Sequence, residues 1–142
     1  MDNQRVFVVD ITRPILNRKK ELMAVVGVVV DLNEISNSIF NAKSVAYANN
    51  RNFMITENGV MLVNSNSELV GKNLKDINKD EKITEFIKNN EIGIVDYSYN
   101  GVDNYAGITE YRVWKDVDTE WTLVSVVPKD EVYAPLVSVE RS

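Results

Sequence analysis

Phe53-Met54-Ile55-Thr56-Glu57-Asn58-Gly59-Val60-Met61-Leu62-Val63 is the stretch on which the fold turns. Two runs of apolar and β-branched residues flank Asn58-Gly59, a dipeptide that tolerates the positive φ angles of a type I′ turn. The twist of that turn matches the twist of paired strands, so the spacing predicts a β-hairpin over 53–63. The signal recurs further on, where Ile94 to Tyr99 is followed by Asn100-Gly101 and then by Tyr105 to Val113. A polar loop at Lys115–Glu120 leads into Trp121 to Val127, a third strand of the last segment. Pro128 ends it, having no N–H to give to a ladder.

Helical periodicity fills the gaps between these hairpins. Asp31 and Glu34 have the spacing of a capping box, and Leu32, Ile35, Ile39 and Phe40 fall on one face, which predicts a helix over 32–43. Ile83, Phe86 and Ile87 predict a short amphipathic helix over 83–89, with Gly93 as its stop. Residues 64–82 read as polar loop anchored by Leu69, Val70, Leu74 and Ile77. Sequential hairpins with helices between them give α+β architecture, an antiparallel sheet with helices packed on it.

The first thirty residues carry a second β pattern. Val6 to Leu16 and Leu22 to Val30 flank the turn-like Asn17-Arg18-Lys19-Lys20-Glu21, which predicts a further hairpin. Leu22 to Val30 is continuous rather than alternating, the pattern of a strand buried on both faces.

Composition narrows the function. The 142 residues have no Cys and no His. Zinc sites of the usual kinds, His-ligated haem and Cys or Ser–His nucleophiles are therefore excluded. The formal charge of −5 is spread along the chain, with neither the basic patch of a nucleic-acid binder nor a polybasic lipid anchor. The longest apolar run, Leu22 to Val30, is too short to span a bilayer as a helix, and the N-terminus does not read as a signal peptide. Any membrane anchors of a parent protein are expected to lie outside this chain.

Several blocks together resemble a known family. Phe53 to Leu62, then Asn66-Ser67-Glu68-Leu69-Val70-Gly71-Lys72-Asn73-Leu74, then Tyr97-Ser98-Tyr99-Asn100-Gly101-Val102, then Trp121 to Lys129 resemble the membrane-proximal module of double Cache (dCache) domains. The likeness covers roughly residues 32–136. Thr12-Arg13-Pro14-Ile15 and Val25 to Leu32 are instead similar to the last two strands of the preceding, membrane-distal module. The resemblance implies a PAS-like fold in which 32–142 is the proximal module and 1–31 is the end of a truncated distal one. It also implies an extracytoplasmic sensor from a chemotaxis receptor or sensor histidine kinase, performing no catalysis and holding no cofactor. Its ligand would be a small carboxylate, amine or amino acid. Two positions depart from the family: Val29 stands where an amine-anchoring Asp is common, and Asn64-Ser65 where His-Pro often follows. The other readings are a structural spacer with a filled core and a cytosolic PAS-like interaction module. The exposed apolar hairpin at 6–30 is expected to pair with another chain or fold back on the proximal sheet, giving a homodimer.

Candidate ligand contacts follow from residue type and position. Tyr97, Tyr99, Tyr105 and Tyr111 all stand at odd positions, so strand alternation places several on one face. Of these, Tyr97, Tyr99 and Tyr111, with Asn64 at the mouth, are the expected pocket residues. Core filling is the simpler role for the tyrosines, and strand termination for Asn64 and Ser65. Arg112 and Lys115 are the basic candidates for an anionic ligand. Asp76-x-Asn78-x-Asp80 begins like a calcium loop, but Glu81 and Ile87 occupy positions that need Gly and Glu. Asn78 or Asp80 is expected to cap the helix that carries Ile83.

Overall fold

The computed structural model describes residues 6–41, 47–78, 80–112, 115 and 119–140. The predicted helix residues 42 and 43, strand residue 113 and loop residues 116–118 lie outside the described residues. Twelve elements run in the order β1 (Val8–Leu16), β2 (Leu22–Asp31), α1 (Leu32–Asn41), β3 (Arg51–Thr56), β4 (Met61–Asn64), a 3-10 turn (Ser67–Leu69), α2 (Leu74–Ile77), α3 (Lys82–Lys88), β5 (Gly93–Tyr99), β6 (Val102–Arg112), β7 (Glu120–Pro128) and α4 (Lys129–Glu140). Strands β3 to β7 form one antiparallel sheet in the order β4-β3-β7-β6-β5, while β1 and β2 form a separate two-stranded ribbon.

The two Asn-Gly turns differ. Asn100 and Gly101 both have positive φ (50° and 77°), and Tyr99 pairs directly with Val102, so this is the expected two-residue type I′ hairpin. At the first hairpin only Gly59 has positive φ (79°). Gly59 N–H donates to Thr56 O (2.8 Å) and Thr56 N–H to Val60 O (2.9 Å), which closes a three-residue loop with a left-handed glycine. The reason lies outside the hairpin, where Asn73 Nδ2 donates to Asn58 O (2.8 Å) and Leu74 N–H to Gly59 O (2.8 Å). The returning loop grips the turn and fixes its conformation.

That grip also organises 64–78, where short elements replace the predicted loop. Asn66 Oδ1 accepts from Glu68 N–H at the 3-10 turn, and Asn73 Oδ1 accepts from Lys75 N–H at the start of α2. Asn78 and Asp80 work as paired Asx turns before α3: Asn78 Oδ1 accepts from Asp80 N–H (3.2 Å) and Asp80 Oδ1 from Lys82 N–H (3.1 Å). The N-cap position itself is Glu81, whose side chain makes no capping bond. Helix α3 stops at Asn90, not at Gly93. Asn90 takes φ 52°, with Glu91 N–H on Phe86 O (3.1 Å) and Asn90 N–H on Ile87 O (3.0 Å), a Schellman pair.

The five-stranded sheet buries both faces. On one, Phe53, Ile55, Tyr97, Ile108 and Val124 pack with Leu74 of α2 and Ile83 of α3; Ile55 is 0% exposed. On the other, Met54, Leu62, Val63 and Trp121 pack with Leu32 and Ile35 of α1 and with Phe7 and Val9. Helix α4 lies against β6 and β7, where Tyr105 and Tyr133 share a hydroxyl hydrogen bond and Lys129 pairs with Asp96. The expected burial of β2 on both faces is not found. Val29 is 64% exposed and Val25, Val26 and Val28 are likewise open, because no described element covers the ribbon. Nor does the ribbon fold back into the proximal sheet. Its anchoring is at the base, through Val9 against the Met54 and Trp121 cluster, Phe7 O accepting from Leu32 N–H (3.0 Å) and the Phe7 ring against Gly71.

Candidate functional site

The first sheet face does not close completely. Between β3, β4, β7 and the 64–77 segment lies a cavity of about 200 Å³. Its apolar walls include Phe53, Met61, Leu74 and Val126, and its polar lining includes Arg51, Asn64, Ser65, Tyr97 and Tyr99. The loop puts the lid in place: Met61 N–H donates to Lys72 O and Gly71 N–H to Met61 O (both 2.8 Å), which lays α2 over the sheet.

Three of the four sequence-predicted contacts meet there. Tyr97 is 6% exposed, and its ring stacks on Tyr99 with centroids 6.3 Å apart and planes 8° from parallel. Burial pushes the Tyr97 phenol up to about 12, against an opposing hydrogen bond from Asn78. Its hydroxyl is therefore a neutral donor throughout the physiological range. Asn64 lines the cavity and fills the expected strand-ending turn role. Its Oδ1 accepts from Asn66 N–H (2.9 Å) in an Asx turn, while its Nδ2 faces only the Met61 sulfur at 3.5 Å, a weak acceptor. The amide N–H groups are thus available to a ligand.

Tyr111 is not in the cavity. It is 48% exposed and stacks on Trp121 on the opposite sheet face, with centroids 6.5 Å apart. The reason is parity: the two-residue turn pairs Tyr99 with Val102 and Tyr97 with Asn104. Odd positions on β5 therefore share a face with even positions on β6, which sends Tyr105 and Tyr111 to the other side. The expected basic residues also fall elsewhere. Arg112 pairs with Glu120 across the sheet, and Lys115 is exposed outside the cavity.

The cation on the cavity lining is Arg51, an exposed residue. Its guanidinium lies 6.0 Å from the Tyr99 ring centroid, and it makes no ion pair among the described residues. Among the described residues no Asp or Glu lines the cavity, and the formal charge they bring to it is positive. The signal was alternation: Arg51 shares the Phe53 and Ile55 side of β3, the side that the register with Val126 and Val124 turns toward the cavity. Among the described residues no group of acidic side chains could hold a metal ion, and no helix is long and apolar enough to cross a membrane.

Comparison with known proteins adds a family. The family model described as Cache domain matches residues 2–136. The periplasmic sensory domain of the Campylobacter jejuni chemoreceptor Tlp1 superposes with TM-score 0.79 at 28% identity, over 95% of this chain and 48% of that one. The extracellular domain of mmHK1S-Z3, assigned as a histidine kinase, gives 0.76 at 23% identity over 96% and 49%. The ligand-binding domain of the Pseudomonas aeruginosa amino acid chemoreceptor PctB, in complex with L-Arg, gives 0.66 at 20% identity over 89% and 50%. This chain spans about half the length of each. None of the curated proteins matches it.

Proposed function

We propose, from the premise that this chain belongs to the Cache domain family, that it is the extracytoplasmic sensing part of a membrane receptor. Residues 32–142 are the membrane-proximal module and bind a small carboxylate; residues 1–31 complete the sheet of a preceding, membrane-distal module. The receptor is of the chemotaxis or sensor-kinase type, and the module recognises and relays rather than catalyses.

One observation carries the ligand reading. Among the described residues the cavity joins Arg51, which makes no ion pair, the Asn64 amide, held only by the Met61 sulfur, and the neutral Tyr97 hydroxyl, with no acidic side chain among its walls. Donors converging without a counter-anion suit a carboxylate. The volume, about 200 Å³, lies below the roughly 300–1,000 Å³ of pockets for drug-sized ligands, which favours a small metabolite. The open volume also favours sensing over a filled spacer. The amino acids bound by PctB are carboxylates too, which supports the class.

The relay follows from chain geometry. Asp96 precedes Tyr97 on β5 and faces the other side of the sheet, where it pairs with Lys129 at the start of α4. Lys129 holds the Asp96 carboxyl below its ordinary range, and Asp96 in turn raises Lys129. A shift of β5 on ligand binding is thereby passed to α4. The two exposed faces of the β1–β2 ribbon support its assignment to another sheet, and pairing of two ribbons would give a homodimer of this chain.

A thermal-shift screen of small carboxylates and amines tests the ligand reading. A ligand at 100 times its dissociation constant should stabilise the fold by about 2.7 kcal/mol. Carboxylates should give the shift, and Arg51→Ala should remove it. A shift from amines alone, or one that survives in Arg51→Ala and Tyr97→Phe together, would place binding elsewhere.

A further inference from the structure

We infer that Asn100 is a spontaneous modification site, at which the side-chain amide is converted to aspartate and isoaspartate, and that the fold withholds the same chemistry from Asn58. Asn58-Gly59 and Asn100-Gly101 are the two Asn-Gly dipeptides of the chain. Glycine lacks the side chain that would shield its own nitrogen, so in both the asparagine amide carbon is open to attack by the next backbone nitrogen. As dipeptides the two are alike. As parts of the fold they are not.

The attack requires the peptide unit between the two residues to rotate, carrying the glycine nitrogen onto the asparagine Cγ. At the first turn that unit is held at both ends. Asn58 O accepts from Asn73 Nδ2 (2.8 Å), and Gly59 N–H donates to Thr56 O (2.8 Å). Gly59 is also buried, its own carbonyl accepts from Leu74 N–H (2.8 Å), and a Cβ on it would lie 3.3 Å from Asn73 Oδ1. At the second turn neither Asn100 O nor Gly101 N–H has a hydrogen-bond partner among the described residues. Asn100 and Gly101 are both exposed, and nothing described stands within 4 Å of where a Gly101 Cβ would be.

Water is the only reactant consumed. The Gly101 nitrogen gives its proton to solvent base and bonds to Asn100 Cγ; the bond from Cγ to Nδ2 breaks, and that nitrogen leaves as ammonia. Water then opens the cyclic imide at either of its carbonyls, giving aspartate from one and isoaspartate from the other. The two products differ in consequence. Asp-Gly suits a type I′ turn as Asn-Gly does, so aspartate keeps the Tyr99–Val102 pair. Isoaspartate adds a methylene to the backbone of a two-residue turn, and that turn sets the register which brings Tyr97 and Tyr99 to the cavity.

Peptide mapping by mass spectrometry, on the folded chain aged in mildly alkaline buffer, provides the test. Asn100 should convert at least about tenfold faster than Asn58, a gap equal to about 1.4 kcal/mol in barrier. In urea both holds on the first turn are gone, and the two rates should come within about twofold of each other. Asn73→Asp keeps an oxygen to cap α2 and removes the donor to Asn58 O, so it should speed Asn58 while leaving Asn100 as it was. Should Asn73→Asp speed both sites alike, it has loosened the whole fold, and the comparison with urea decides. An Asn58 rate unmoved in that variant overturns the clamp. Equal rates at the two sites in the folded chain, or conversion at neither, overturns the assignment of Asn100. So does a tenfold gap that persists in urea, because the neighbouring sequence and not the fold would then set it.

Discussion

The β1–β2 ribbon and the five-stranded sheet are both antiparallel, both rich in Val and Ile, and end up in opposite environments. Met54, Ile55 and Val63 are sealed between helices on either face, whereas Val25, Val26, Val28 and Val29 stand open. The difference does not lie in strand propensity. It lies in whether the chain supplies covering layers, since a sheet face is stable only against another element. α1, α2 and α3 cover the large sheet, and no described element covers the ribbon. An apolar run thus states that burial is required, not what provides it.

Truncating each region should break or sharpen this contrast most clearly. Ile55→Ala should cost about 2–5 kcal/mol in urea unfolding, because the site cannot refill. In the unassociated chain Val28→Ala should change stability by no more than about 0.5 kcal/mol. A large cost for Val28→Ala would mean that the ribbon is buried in solution by association. In that case light scattering should give twice the 16.1 kDa chain mass, and Val26→Lys with Val28→Lys should return the monomer.

The junction of the two regions gives the next effect. Gly71 has φ +82°, and a Cβ there would lie 3.0 Å from the Phe7 ring. Gly71→Ala should cost about 1–2 kcal/mol from backbone strain alone. It should also loosen the ribbon's base, seen as faster amide exchange at Leu32, whose N–H donates to Phe7 O. Unchanged exchange there would show that the ribbon and module are coupled by some other contact.

A smaller effect separates the cavity face from its surroundings by pH. Folded Tyr97 ionises at about 12 and its ordinary value is 10.0, so the unfolded chain loses this proton first. Stability from this group is complete below pH 10 and falls as pH rises from 10 to 12. Tyr97→Phe should flatten that fall, and an unaltered alkaline profile would mean that the phenol is not buried. Smallest is Lys129→Gln, which should leave the unfolding midpoint nearly unchanged because the pair with Asp96 is exposed, yet reduce any ligand-induced change in α4.

The sheet was legible because period-2 runs and Asn-Gly turns are local signals, and the strands β3 to β7 are where they predict. What failed was non-local. The Tyr111 error came from carrying odd-number parity across a two-residue turn, which inverts it. Arg51 was overlooked because a lone exposed Arg before an apolar run gives no sign of a cavity until the register with Val126 fixes its side. α2 has four residues, too few for periodicity, although Asn73 was a readable cap. α4 went unread because Pro135 interrupts it, despite Asp130 and Glu131 in its first turn.

The central claim is that a small carboxylate sits against Arg51 and Tyr97 inside the proximal module. A crystal structure with the tightest-binding carboxylate from the screen tests it most directly. The account predicts the ligand between β3 and α2, its carboxylate within hydrogen-bond reach of the Arg51 guanidinium and the Asn64 amide. A ligand found instead in the shallow apolar groove beside Ile94, Tyr105 and Val127, with the cavity filled by its own side chains, would contradict it.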